Sequence, residues 1–136
     1  MTTIGVFAVI FDSERRILCV KRAYGPQNWT TPGGRLESGE SPGAALEREV
    51  QEETGYIVRA RQLLGVYAAT FKDDLVLSIE ADIIGQEAWE PNAEIAEVGF
   101  FTPDALPQPM HPFTATRIRD AIEERIGIIR VLETPT

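Results

Sequence analysis

The chain predicts an α/β fold in which a mixed sheet lies between two helices, and three observations carry that prediction. Short apolar runs rich in Val, Ile and Phe recur along it and have the character of strands. Two segments, 42–54 and 112–125, have helical periodicity and helix-end signals instead. The resulting order is β-β-α-β-β-β-α. A sheet covered on both faces is the layered arrangement that buries one apolar stripe from each helix. At 136 residues, with no internal repeat or linker, the chain forms one domain.

Taken in order, Ile4 to Phe11 and Ile17 to Arg22 are strand-like runs separated by the polar turn Asp12 to Arg16, and a hairpin is expected. Residues 23–31 form a loop leading into Pro32-Gly33-Gly34, and Thr31 is extended because a proline follows it. Ser41 suits the N-cap and Pro42 the first position of a helix that Gly55 ends. Leu46, Val50 and Thr54 give this helix a core stripe, while Ala45, one turn before Glu49, leaves room on the acidic side. Residues 57–71 and 75–84 read as two strands joined at Lys72-Asp73-Asp74, with a bulge near Gly65. Trp89 is expected to cap the core from a polar loop, and Phe100 and Phe101 alternate faces so that one enters it. In the second helix Ala115, Ile118, Ala121 and Ile122 make the apolar stripe, with Gly127 as its stop and 128–132 as a short strand. His111, the only histidine, stands at the entry to that helix, where a structural role is the commoner one.

Composition narrows the function. A net charge of -8 opposes unaided binding to nucleic acid or to an anionic membrane, and it means that a phosphate-bearing substrate needs cations to approach. Cys19 is the single cysteine, so no intrachain disulfide forms, and its apolar run makes it a core residue. Nothing approaches the ~20 apolar residues of a membrane span. The first residues have no basic n-region or long apolar run, and a cytoplasmic setting is expected.

The chemistry concentrates between Gly34 and Tyr56. On a helix, Glu49, Glu52 and Glu53 stand at i, i+3 and i+4 and share a face. Like charges at that spacing oppose each other by roughly 0.2–0.5 kcal/mol, and anions in a last turn oppose the macrodipole by roughly 0.3–1 kcal/mol each. Oxygen ligands for a hard cation such as Mg2+ would explain that cost; a solvated acidic face is the alternative. The glycine-rich loop before the helix can bend sharply and bring backbone groups close to an anion or metal.

The same stretch resembles the signature of the Nudix hydrolases, G-x5-E-x7-R-E-U-x-E-E-x-G-U, where U is a bulky apolar residue. Gly34, Glu40, Arg48, Glu49, Val50, Glu52, Glu53, Gly55 and Tyr56 meet its positions in turn; only Tyr56 departs from the usual aliphatic residue. Chance agreement would occur in roughly fewer than one chain in a million at average residue usage. The resemblance implies an α/β/α sandwich and Mg2+ (or Mn2+) held by Glu49, Glu52 and Glu53, with the Gly34 carbonyl completing the set. Glu49 or Glu53 would be the general base and Arg48 would orient the carboxylates, with Glu40 fixing the loop. Glu94 is the late acidic residue carried over to the metal, Glu97 coming second. Lys21, Arg22 and Arg35 are phosphate candidates, each with a plain solubilising role as the alternative. Trp29 would flank the nucleotide or pack over the sheet edge, and Tyr24 is a weaker candidate for stacking on a base.

The implied reaction is hydrolysis of a pyrophosphate bond in a nucleoside diphosphate linked to another moiety. Lys72, Asp73 and Asp74 match neither the proline of many ADP-ribose pyrophosphatases nor the tyrosine of dinucleoside polyphosphate hydrolases, and the coenzyme A signature is missing. By elimination a MutT-like action on nucleoside triphosphates leads. ADP-ribose or nucleotide-sugar pyrophosphatase activity and a non-catalytic nucleotide sensor are the alternatives. Pyrophosphohydrolysis of RNA ends fits poorly with the acidic balance. Homodimers are frequent among members of the family.

Overall fold

Side-chain alternation along the strands decides the layering of the molecule. The computed structural model describes residues 1–134. Its elements are β1 (Thr3–Val9), β2 (Ile17–Arg22), β3 (Trp29–Thr30), β4 (Gly33–Arg35), α1 (Pro42–Thr54), β5 (Tyr56–Ala69), β6 (Asp74–Gln86), β7 (Ile95–Phe101), α2 (Pro112–Ile122) and β8 (Ile128–Val131). Val6 and Ala8 of β1 and Leu18 of β2 point into one core, with Leu46 and Val50 of α1. Val9, Ile17 and Cys19 alternate to the other face and join Ile118 and Ala121 of α2 in a second core. Each helix thus covers its own face, as the fold class requires. Phe100 packs on the first core and Phe101 on the second, so both contribute.

The strands form two sheets. Five run in the order β4-β1-β6-β5-β8 and three in the order β3-β2-β7. The larger sheet is mixed: β1 with β6 and β5 with β8 are parallel, while β4 with β1 and β5 with β6 are antiparallel.

The expected hairpin between the first two strands survives only at its base, through the Phe11–Ile17 bridge and a Leu18 N–H to Ile10 carbonyl bond of 3.0 Å. Beyond it the strands diverge into different sheets. The reason is edge occupancy: β1 pairs with β4 and β6, and β2 pairs with β3 and β7, so neither has an edge left for the other.

The first helix begins and ends as its sequence signals. Ser41 Oγ accepts from the Ala44 N–H at 3.2 Å, and Gly55 takes the left-handed conformation at φ 78°. Ala45 does not leave space on the acidic side; it is fully buried in the first core. Trp89 caps the end of α1 rather than the core, its indole N–H donating to the Glu52 carbonyl at 3.1 Å.

The second helix starts at His111, whose Nδ1 accepts from the Phe113 N–H at 3.1 Å. It stops before the predicted glycine, because Glu124 adopts φ 59° and the Arg125 N–H reaches back to the Asp120 carbonyl. Asp120 ties this helix to the sheet, accepting from Tyr67 Oη at 2.8 Å and from Arg130 Nε and Nη2 at 2.8 and 2.7 Å. The bulge near Gly65 is present as a register shift between Leu63 and Gly65. Cys19 is fully buried, and burial pushes its thiol up to about 12, which makes it an inert core residue.

Candidate active site

The acidic helix meets the glycine loop through β4. That strand pairs with β1 in the register Val6–Gly34 and Phe7–Gly33. A side chain at Gly33 would stand 2.1 Å from the Val6 carbonyl oxygen, so glycine is required for the strand to lie this close. Glu53 Oε1 accepts from the Gly33 N–H at 2.9 Å and locks helix to loop. Gly34 matters for another reason: a Cβ there would stand 2.6–2.8 Å from the Glu49 carboxylate. The missing side chain at Gly34 is what lets a carboxylate sit against the backbone.

Both of these glutamates have one oxygen anchored and the other unbonded among the described residues. Glu53 is only 6% exposed, yet its Oε2 is not sealed from the cleft. Burial raises its pKa to about 8, with the Gly33 hydrogen bond opposing and the charges of Glu49 and Glu94 adding to the rise. Glu49 is also raised, chiefly by burial, against the pull of Arg48. Its Oε1 accepts from Arg48 Nη1 at 2.8 Å.

Arg48 organises this end of the helix. Its Nε and Nη2 form a fork onto the Glu40 carboxylate at 2.7 and 3.0 Å, while Nη1 serves Glu49 and, at 3.4 Å, both oxygens of Glu52. The hydrogen bond from Arg48 holds Glu40 down at about 2. Glu40 is fixed in turn by the Glu37 N–H at 3.1 Å.

The cleft contains some of the sequence-predicted residues and not others. Glu49, Glu53, Gly34, Glu94, Arg22 and Arg35 line it. Glu52 does not; its side chain lies at the rim, about half exposed. Glu94 is delivered by an Asn92 turn, where Asn92 Oδ1 accepts from the N–H groups of Glu94 and Ile95 at 2.9 and 3.0 Å. Glu97 stands opposite Lys21 in the β2–β7 ladder, away from the cleft. Lys21 lines neither the cleft nor its neighbouring cavity, whereas Arg22 lines both, the strand reversing its face between them. Arg22 Nη1 donates to Tyr24 Oη at 2.7 Å, which brings Tyr24 to the cleft too.

Trp29 is buried with its ring edge-on to Phe101 at 5.1 Å, and it borders the adjoining cavity. Sequence reasoning missed Phe7, Asp74 and Val76, which line both spaces. The parallel register Gly5–Val76 between β1 and β6 assembles this wall, and local pattern holds no trace of a pairing seventy residues apart.

Among the described residues no three of His, Cys, Asp and Glu converge as a closed metal cage. The donors nevertheless fit a hard divalent ion: free oxygens on Glu49 and Glu53, a third carboxylate at Glu94, and backbone bared at Gly34. Mg2+ is commonly bound by one or two carboxylates, with water and substrate phosphates supplying the rest, so an open set is the suitable one.

A sheet between two helices, with an arginine-organised acidic helix end against a glycine loop, fits a hydrolase of phosphoanhydrides. The NUDIX domain model matches residues 1–121, and the chain belongs to that family as a pyrophosphohydrolase. Members generally use divalent metal ions. It is 36% identical over 121 residues to a Bacillus subtilis (strain 168) protein named "Putative 8-oxo-dGTP diphosphatase", covering 88% of this chain and 80% of that one. A Streptomyces ambofaciens "MutT-like protein" is 32% identical, covering 89% and 77%. An "ADP-ribose pyrophosphatase" of Methanocaldococcus jannaschii is 36% identical over 105 residues, covering 73% and 62%. Among solved structures, a NUDIX hydrolase from Nitrosomonas europaea superposes with a TM-score of 0.87 at 22% identity, over 98% of this chain and 80% of that one, which shows the shared fold. No helix among the described residues is long and apolar enough to cross a membrane.

Proposed function

We propose that this chain hydrolyses nucleoside triphosphates in a MutT-like manner, releasing a nucleoside monophosphate, with Mg2+ (Mn2+ as substitute) in the cleft. The observation that carries this reading is the pair of free carboxylate oxygens, on Glu49 and Glu53, facing one cleft beside bared backbone at Gly34. Glu49, Glu53 and the Gly34 carbonyl would hold the ion, with Glu94 across the cleft and Glu52 reaching in from the rim. The bound ion would supply charge neutralisation at the phosphate oxygens and a more acidic water.

The protein's own groups do the remainder. Arg48 holds Glu49 in one orientation by a charge-assisted bond, with Glu40 keeping the guanidinium in place. Glu53 and Glu49 are the two candidates for taking a proton from water. Burial keeps Glu53 protonated near neutral pH, so it would act as a base only in its ionised form, which a bound cation would favour. Arg22 and Arg35 bring positive charge to a wall that is otherwise acidic, where the phosphates lie. Trp29 borders the space next to them, where the nucleoside extends.

The substrate is a free nucleotide in the cytoplasm and not a nucleic acid, in keeping with a net charge of -8. Assembly as a homodimer belongs to the same proposal; the edge strand β8 exposes Ile129 and Val131, surface that a second copy would cover.

The test is a product screen over nucleoside triphosphates, ADP-ribose, nucleotide sugars and dinucleoside polyphosphates, with Mg2+ and with EDTA. Metal-dependent release of a nucleoside monophosphate, fastest from a triphosphate, is the expected result. Preference for ADP-ribose would move the chain to the activity named for its Methanocaldococcus relative. Binding without turnover of any compound would make it a sensor.

A further inference from the structure

Beside the cleft lies a cavity of about 220 Å³ that shares Arg22 and Asp74 with it. It is smaller than the ~300–1,000 Å³ of pockets that take a whole ligand, so it suits one ring system of a longer substrate. Its walls include the rings of Phe7, Trp29 and Phe113, which suit a flat aromatic group better than a hydrated phosphate.

Arg117 of α2 is set into this apolar surround. It is 6% exposed, with its guanidinium carbon 4.6 Å from the centre of the Phe7 ring. Its one hydrogen bond among the described residues runs from Nη2 to Thr114 Oγ1, one helical turn away, at 3.3 Å. No carboxylate pairs with it among those residues. Its Nε is the one buried side-chain polar atom without a partner among them. Nη1 also makes no hydrogen bond yet is not sealed, so it opens onto the cavity. Burial lowers its pKa to about 10, and it remains a cation at neutral pH.

A buried arginine with a single long hydrogen bond and no carboxylate partner is costly to keep, because its donors have lost water and gained little in return. A ligand in the cavity supplying acceptors to Nη1 and to the second Nη2 proton would remove part of that cost, while the sealed Nε stays unmet. We propose that Arg117 is a specificity-determining residue that reads the acceptor edge of a 6-oxopurine, as in guanine or hypoxanthine, in this cavity. The fork of an arginine matches the paired O6 and N7 acceptors of such a base, whereas adenine presents an amino donor where O6 would be. A site built around an unmet donor rejects a base that leaves it unmet. This role rests on the nucleotide reading of the neighbouring cleft, which would place a nucleoside's base here.

Two measurements separate the role from that reading. The first is calorimetric binding of GMP, IMP and AMP to the wild-type chain in EDTA, repeated with Arg117→Met and Arg117→Lys. GMP and IMP are expected to bind about 10- to 100-fold more tightly than AMP, with the preference lost in both variants. Arg117→Met is expected to melt no lower than wild type, since it removes an unpaired buried charge, and Arg117→Lys retains the cation without the fork. Equal affinity for the three, binding of none, or a preference that survives both substitutions overturns the role. The second is turnover of GTP and ATP with Mg2+. Its absence alongside a retained base preference would refute the hydrolase and leave Arg117 as the base reader.

Discussion

Glu53 is the residue on which most of the proposed chemistry converges, and its environment makes a measurable demand. Its carboxyl titrates at about 8 in the fold against 4.5 ordinarily, mainly because it is buried. Between those values the folded state holds a proton that the unfolded state releases, so stability in the absence of metal falls as pH rises from about 4.5 through 8. Urea denaturation in EDTA from pH 6 to 9 should therefore show a declining slope that Glu53→Gln flattens. Above pH 8 the variant should be more stable by about 1–3 kcal/mol, and a less stable variant would contradict the burial argument. Arg48 makes a different demand, because it acts through Glu40, Glu49 and Glu52. Arg48→Ala should lower turnover about 10- to 100-fold and raise the metal concentration needed for half-maximal rate, while Arg48→Lys, lacking the fork, should recover little. Helical spacing, a local property, put Glu49 and Glu53 on one face in the sequence, and Arg48 was carried by the resemblance to the family signature. That Glu52 lies outside the cleft was not legible there, since it follows from which side chains of α1 meet the loop, as Glu53 does at the Gly33 N–H.

Among the elements, α2 is held by a buried polar joint at Asp120 as well as by its apolar stripe. Asp120 is buried and joins Tyr67 of β5 to Arg130 of β8. Asp120→Ala should cost about 1–3 kcal/mol, because it leaves a buried hydroxyl and a guanidinium without their acceptor. The hydrogen bonds from Arg130 hold Asp120 below its ordinary 3.8, so its contribution is present above that pH and lost as pH falls through the folded value. Urea melts of wild type and variant should accordingly differ at pH 7, and the difference should narrow as pH falls below 3.8. Both helices could be placed from the sequence, and Ser41, Pro42 and Gly55 even marked the ends of the first, since caps act within a few residues. The expected hairpin failed for the opposite reason: which strand occupies which edge is settled by pairings such as β1 with β6, far apart in the chain. Phe7 and Asp74 escaped notice at the site on the same account, and so did Arg117, whose position on a periodic helix gave no sign of its neighbours.

At the scale of the whole molecule, the layers serve to bring an acidic helix end, a glycine loop and the Asn92 turn to one cleft on a chain of net charge -8. A divalent ion binding there should stabilise the fold by mass action, by roughly 2.7 kcal/mol at a hundred times its Kd. Mg2+ should thus raise the melting temperature of the wild type and leave Glu53→Gln nearly unmoved. The fold class, the acidic helix and the reaction class were all readable before the structure, because they rest on local periodicity and on one contiguous stretch. The cavity proposed to choose the substrate was not, for its walls come from β1, β2, β3, β5, β6 and α2 together. The most direct measurement is the rate at which Glu53→Gln releases nucleoside monophosphate from a triphosphate in Mg2+, compared with wild type at equal folded concentration. Loss of that release in a variant that still melts cooperatively is the predicted result; an undiminished rate would mean that this carboxylate neither holds the metal nor moves the proton.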